Sequence, residues 1–181
     1  MWPFSSKRPR FAPDRAFPAY AHLPGTTPHP FREPEGHSYG QSEPEPPPLD
    51  VDRAEDAEDY LFGFDLLNYG YFWEAHTYWE GLWHAAGREG PVADLLKALI
   101  RIAAAGVKGR QGVNGGVRSH MSTAAELLRG VKTTTGRDTM AGIGLGDLAE
   151  HCEGVAADTP DGGPHPDLDG ARWDWTIKPR W

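Results

Sequence analysis

The sequence of 181 residues is poor in cysteine and in cationic side chains. Its single cysteine, Cys152, cannot form an internal disulfide, which excludes a disulfide-stapled fold and a cysteine-cluster metal site. Lys and Arg number 18 against 26 Asp and Glu, so the net charge is -8. An acidic surface repels phosphate backbones, and we therefore expect no nucleic acid partner.

Long apolar runs are also absent. The longest apolar stretch, LLKALIRIAAAGV, is interrupted by Lys97 and Arg101 and is shorter than the ~20 residues that span a bilayer. The first residues, MWPFSSKRPRF, are basic but are not followed by an apolar segment, so we expect no secretory signal. Both absences predict a cytoplasmic protein without a membrane partner.

Proline is concentrated at the N-terminus, where residues 1–50 hold twelve of the 17 prolines and exclude regular helices and strands. A featureless linker would carry few aromatic residues. This segment carries several: Phe4, Phe11, Phe17, Tyr20, Phe31 and Tyr39. We therefore predict an extended arm that lies on the domain, with residues 43–48 (EPEPPP) as the spacer between arm and core.

Helical periodicity predicts an all-α core over residues 51–130. The four predicted helices cover residues 52–69, 71–86, 91–108 and 114–129. The third has the broadest apolar face, so it is expected to be central and the most buried. Residues 131–181 are expected to form an irregular extension packed on the core, in which GIGLGDLAEHCEG (residues 142–154) is a candidate short helix. The tail is expected to dock through Trp173, Trp175 and Ile177. The predicted fold is thus a compact bundle of four main helices, a proline-rich arm and a docked tail.

The second predicted helix carries the most informative residues. His76 and Glu80 lie one turn apart beside Trp79 and Trp83, so the face that shields these tryptophans is expected to bury the pair. Burying an ionisable pair costs several kcal/mol unless it is hydrogen-bonded or bound to a metal. Two interpretations stay open: a structural pair that ties helices together, or catalytic groups that act on a ligand, with Glu74 assisting.

Other histidines can complete such a site. His120 lies on the fourth predicted helix, and His29 and His37 lie in the arm between prolines and glycines. Together with His76 and Glu80 they suit a divalent metal such as zinc, iron or manganese. The ordinary alternatives are a polar turn that pins the arm and, for His120, a helix-surface or core residue. No stretch has a recognised metal-ligand spacing.

The glycine-rich segment GRQGVNGG, residues 109–116, is not a phosphate-binding loop, because it follows a helix and lacks the Gly-Lys-Ser/Thr ending. Its simplest role is a turn between the third and fourth helices. Lys108 and Arg118 flank this turn, so we expect that a small anion can bind at the N-terminus of the helix that follows.

Two motifs give a family resemblance. NYGYFWEAHTYWEGLWHAAG and LLKALIRIAAAGVKGRQGVNGGVRSHMSTAAELL resemble the family known as domain of unknown function 309, over about residues 60–129. The matching positions are Asn68, Gly70, Glu74, Ala75, His76, Glu80, Trp83, Leu99, Ile100, Ala103, Ala104, Lys108, Gly115 and Gly116. Thr77 departs from the pattern, since many members carry an acidic residue there. The resemblance implies a compact helical fold and no established activity.

Two functional hypotheses follow from the residues. In the first, the domain binds a metal ion or a small ligand at a buried His/Glu site and acts on it as an enzyme of unknown substrate. In the second, it is a non-catalytic binding or assembly module, with a protein partner or a second copy of itself, and its His–Glu pair is structural. The sequence does not decide between an enzyme and a binding module.

Overall fold

The computed structural model of the protein describes residues 8–161 and 176–181, in which there are five α-helices and one short hairpin. The helices are α1 (Glu58–Asn68), α2 (Phe72–Ala85), α3 (Gly90–Arg110), α4 (Asn114–Thr135) and α5 (Leu145–Asp158). The antiparallel strands β1 (Thr139–Met140) and β2 (Ile143–Gly144) lie between α4 and α5. Each helix packs against the next one along the chain. None of the helices in the described ranges is long and apolar enough to cross a bilayer.

The all-α prediction is confirmed, and all four predicted helices are present. The structure differs in the C-terminal extension, which is not irregular: the hairpin and the 14-residue helix α5 occupy its first half. Leu145, Leu148, Ala149 and Cys152 form the buried stripe of α5. Glycines at its start and in its interior weaken the helical signal of this segment, so its helix depends on packing against α4.

The most buried helix is α1, and the expectation that it would be the third helix is wrong. Nine of the eleven residues of α1 are buried, against ten of the 21 residues of α3. The reason is that non-helical segments cover the outer face of α1. Both the N-terminal arm and the C-terminal tail lie against it.

The arm is held on α1 by a buried carboxylate. Asp65 is fully buried and accepts hydrogen bonds from the backbone N–H groups of Phe11 at 2.7 Å and Ala12 at 2.9 Å. The guanidinium of Arg10 donates to the same carboxylate at 2.8 Å and stacks 4.1 Å from the centroid of the Phe17 ring. A proline-rich chain has no helix or sheet to satisfy its amides, so a side-chain acceptor takes that role.

The tail is held on the same helix by an amide. The side chain of Asn68, fully buried, donates to the carbonyl of Ile177 at 2.9 Å and accepts from its N–H at 3.0 Å. Ile177 is itself buried, as predicted for the docked tail. Phe4, Trp173 and Trp175, the other predicted anchors, lie outside the described residues.

The predicted spacer packs on α2 instead of hanging free. At Gly81, an added Cβ would lie 2.5 Å from the Pro44 carbonyl oxygen and 2.9 Å from Cδ of Pro46. Pro46 is buried. Residues 43–48, named the strap from here on, therefore cross α2 at Gly81, the glycine of this helix.

Replacing Asp65 by Asn is expected to release the start of the arm. Asparagine keeps the shape, but it turns an NH2 group towards donors that need an acceptor. We expect a loss of about 2–4 kcal/mol in unfolding free energy, measured by denaturant titration, and faster proteolysis before residue 20. Asp56→Asn, at an exposed pair with Arg53, is the control and should change neither property. An Asp65→Asn protein as stable and protease-resistant as wild type would contradict this role.

Replacing Gly81 by Ala is expected to displace the strap, because the new methyl group overlaps the Pro44 carbonyl. Overpacking of this kind costs about 1–3 kcal/mol. Gly130→Ala, within α4, is the matched control: no atom lies within 4 Å of its added Cβ, so the better helix propensity of alanine should raise stability by up to about 1 kcal/mol. Equal thermal stability changes in the two variants would show that the strap does not lie on α2.

Candidate functional site

A cavity of about 280 Å³ lies between the arm and the first two helices. One wall comes from the arm and the strap, and the other comes from α1 and α2. The side chains that matter for its chemistry are Arg15, Phe31 and His37 of the arm, and Trp73, Glu74 and Tyr78 of α2. A site of this kind is complete only when the arm is docked.

Glu74 lies at the centre of this arrangement. It occupies the first turn of α2, where the helix dipole favours a carboxylate, and only 3% of it is exposed. Its Oε1 accepts two hydrogen bonds, from the backbone N–H of His22 at 2.7 Å and from Nε2 of His37 at 3.1 Å. Its Oε2 is buried and has no hydrogen-bond partner among the described residues. One oxygen of the carboxylate therefore holds the arm, and the other makes no hydrogen bond to a described residue.

His37 is the arm residue that pairs with Glu74. Its side chain is 5% exposed, and its ring packs against that of Tyr20 with centroids 4.8 Å apart. Because Nε2 faces a carboxylate oxygen, Nε2 carries a proton. Its Nδ1 lies 2.8 Å from the Ser38 hydroxyl, which can donate or accept. The geometry is thus compatible with both the neutral and the cationic imidazole.

Trp73 forms an aromatic wall of the cavity. The imidazoles of His22 and His29 contact it in T-shaped geometry, with centroids at 4.9 and 5.3 Å, and the Phe31 ring lies at 6.2 Å. His29 is held in its turn by Gly36, where a Cβ would lie 2.3 Å from the His29 carbonyl oxygen. The arm histidines therefore position the indole beside Glu74.

The cation of the cavity wall is Arg15. Its guanidinium donates to Asp59 at 3.1 Å and to the Tyr78 hydroxyl at 2.8 Å, and it lies 4.5 Å from the centroid of the Phe62 ring. These partners belong to α1 and α2, so Arg15 ties the arm to both helices. Its charge is matched by that of Asp59.

The structure does not bury His76 and Glu80 as a close pair. Their side chains are 30% and 39% exposed, and Nε2 of His76 lies 3.8 Å from Oε2 of Glu80, which is beyond hydrogen-bonding distance. Burial lowers the pKa of His76 although Glu80 and Glu43 favour its charged form. The expectation that both side chains are largely buried is wrong, because this face of α2 is covered only in part, and a metal ion shared by the pair stays a prediction.

The five predicted metal ligands do not form one site. Among the described residues, no group of three or more His, Cys, Asp or Glu side chains is arranged to hold a metal ion. The reason is helical geometry: residues 74 and 76 are separated by about 200° around α2, so they face different neighbours. Glu74 faces His37 and the arm, whereas His76 faces Glu80 and, at longer range, His120.

The remaining predicted residues have structural partners. Nδ1 of His120 lies 3.2 Å from a guanidinium nitrogen of Arg101. Lys108 donates to Gln111 at 3.2 Å, and Arg118 donates to the Thr159 carbonyl at 3.4 Å and to Asp161. Anion binding by Lys108 and Arg118 stays a prediction.

Sequence reasoning missed the residues that complete this site. His22, Arg15 and Trp73 were not among the candidates, and Glu74 was given only an assisting role. A signal was present: the arm has many backbone amides and no regular structure, so it needs buried acceptors on the helices. Asp65 interrupts the apolar residues of α1, and Glu74 is the acidic residue in the first turn of α2.

The fold and the site define a mostly helical domain whose own proline-rich arm forms one wall of a cavity. Residues 60–119, from α1 into α4, match the family described as "Domain of unknown function (DUF309)". The match covers roughly a third of the chain and confirms the resemblance for this helical segment, which includes Glu74. Neither a curated protein nor a solved structure gives a significant match.

Acidification is expected to destabilise the docked arm. Burial lowers the pKa of His22 below its ordinary value near 6.5, so the unfolded chain takes up this proton more readily than the folded one. The contribution is present above pH 6.5 and is lost as the pH falls through the lowered pKa. Denaturant titrations from pH 7.5 to 5 should show falling stability. A His22 imidazole resonance that titrates at or above pH 6.5 in NMR would contradict this assignment.

Proposed function

We propose that this protein binds a small organic ligand in the cavity beneath the arm, with Glu74 and His37 as the groups that recognise it. The observation that carries the proposal is the buried Oε2 of Glu74, which no donor among the described residues reaches. An unsatisfied buried acceptor costs about 1–3 kcal/mol. A ligand that donates a hydrogen bond to this oxygen would recover that cost.

The pair also has the chemistry of an acid–base catalyst. A carboxylate hydrogen-bonded to Nε2 of an imidazole can accept a proton from a ligand or return one to it. The aromatic wall and the arm exclude water from the pair, which strengthens polar interactions inside the cavity. If the protein is an enzyme, proton transfer at Glu74 is therefore the reaction type that these residues support.

A non-catalytic alternative is favoured by one specific observation. Oε1 of Glu74 binds the arm through His22 and His37, as Asp65 binds it through Phe11 and Ala12. In that alternative Glu74 is an anchor of the arm, and the domain is an assembly module. The ligand-binding protein and the assembly module differ in one testable property, which is ligand binding that depends on the cavity.

The test is thermal melting of the full chain with a panel of small amines, alcohols, carboxylates and divalent metal ions. A ligand at 100 times its dissociation constant stabilises by about 2.7 kcal/mol. We expect at least one organic compound to raise the melting temperature of the wild type and of Ser119→Trp, an exposed control on α4. Ser42→Trp, which places an indole at a residue that lines the cavity, should abolish the shift.

Two results would contradict the proposed ligand site. If no organic compound stabilises the protein, or if Ser42→Trp responds as the wild type does, the cavity is not a ligand site. A stable oligomer by light scattering in the same samples would then favour the assembly module. A shift with a metal ion alone that Ser42→Trp retains would point to a metal site elsewhere in the chain.

A further inference from the structure

We infer that the ligand of this cavity is an organic cation, a protonated primary amine carried on a small aromatic or apolar group. The inference rests on the proposed function and names the chemical class that the site recognises. Three features of the cavity lead to it: the buried oxygen of Glu74 that has no described hydrogen-bond partner, the balance of charge along the wall, and the aromatic surface beside the carboxylate.

The first feature is the geometry of hydrogen bonding at Glu74. Oε1 already accepts from the His22 amide and from His37, whereas the buried Oε2 accepts from no described residue. The missing partner must be a donor. An ionised carboxylate ligand has no proton to give, and both a carboxylate and a phosphate would be repelled by Glu74 in a site partly shielded from water.

The second feature is charge. The described carboxylates that line the cavity are Glu45, Asp59 and Glu74, and the lining guanidinium is that of Arg15. Arg15 is matched by Asp59 and Glu74 contacts His37, both at 3.1 Å, whereas the exposed Glu45 forms no ion pair among the described residues. Arg110 lies outside the cavity lining, but its charge partly offsets that of Glu74. Three lining carboxylates still outnumber the one lining guanidinium among the described residues, so a cation is favoured over an anion.

The third feature is the aromatic wall. Trp73, Phe31 and Tyr78 line the same cavity as Glu74. Ring faces attract ammonium groups, by about 0.5–2 kcal/mol when the cation is desolvated, and tryptophan does so best. A neutral hydroxyl can also donate a hydrogen bond to Oε2, but it lacks the cation–π attraction that an ammonium group has to the rings. The combination of a carboxylate and aromatic surface thus selects an amine over an alcohol.

Isothermal titration calorimetry with benzylamine, benzyl alcohol and benzoate tests the assignment, because these probes share one ring and differ in the polar group. With the full chain at pH 7.5, benzylamine should bind at least about tenfold more tightly than benzyl alcohol. Benzoate should give no binding heat. Glu74→Gln turns a donor towards the ligand and should abolish the preference for the amine, whereas Glu126→Gln, an exposed site on α4, should retain it.

A second variant keeps the test decisive if Glu74→Gln fails to fold. Glu45 is exposed at the cavity, so Glu45→Lys leaves the core intact and adds a cation to the wall. It should weaken benzylamine binding by about three- to tenfold and leave benzyl alcohol unchanged.

The results that would refute the amine class differ from those that would refute a ligand cavity. Binding of benzyl alcohol or benzoate that equals or exceeds that of benzylamine and is blocked by Ser42→Trp refutes the amine class and supports a ligand cavity. An absence of heat with all three probes also refutes the amine class, and the melting panel then decides whether the cavity binds any compound.

Discussion

The structure depends on buried polar side chains of α1 and α2 that form hydrogen bonds with the backbone of non-helical segments. Asp65 accepts two arm amides, Glu74 accepts one amide and one imidazole, and Asn68 pairs with both backbone groups of Ile177. Each contact satisfies groups that a proline-rich or irregular segment cannot satisfy internally. Removing one partner leaves the other buried and unpaired, so the docked state is stabilised far more by the complete set than by any exposed ion pair.

This constraint also creates the candidate site. Because the arm supplies one wall of the cavity and α2 the other, anything that binds there binds to both and stabilises the docked arm by mass action. Glu74 serves the fold with one oxygen, and its other oxygen, buried and without a described hydrogen-bond partner, is the group that we propose binds a ligand. Anchor and recognition group are then the same residue, which couples occupancy of the cavity to the order of the arm.

The four core helices could be predicted from the sequence because their apolar periodicity is strong. At α5 the sequence indicated only a candidate short helix in residues 142–154, since the glycines obscure the pattern and the packing on α4 is a tertiary contact. The docked arm was predicted from its aromatic residues, but its partners were not. On α2 large aromatic residues occur on several sides, so periodicity alone does not tell which face meets the arm. His76 and Glu80 have the right spacing for a pair, yet the covered face belongs to Glu74. Tertiary contacts decide which side of a helix another segment covers, and residue spacing along that helix does not reveal them.

The central claim is that buried acceptors on α1 and α2 hold the arm in place, and amide hydrogen exchange of three residues tests it most directly. The N–H groups of Phe11, Ala12 and His22 donate to Asp65 and Glu74 in a segment without helix or strand. The account predicts slow exchange at these three positions, well below the rate of an unstructured chain, while the amide of the exposed Gly25 exchanges fast. Exchange of the three amides at the unstructured rate would contradict it.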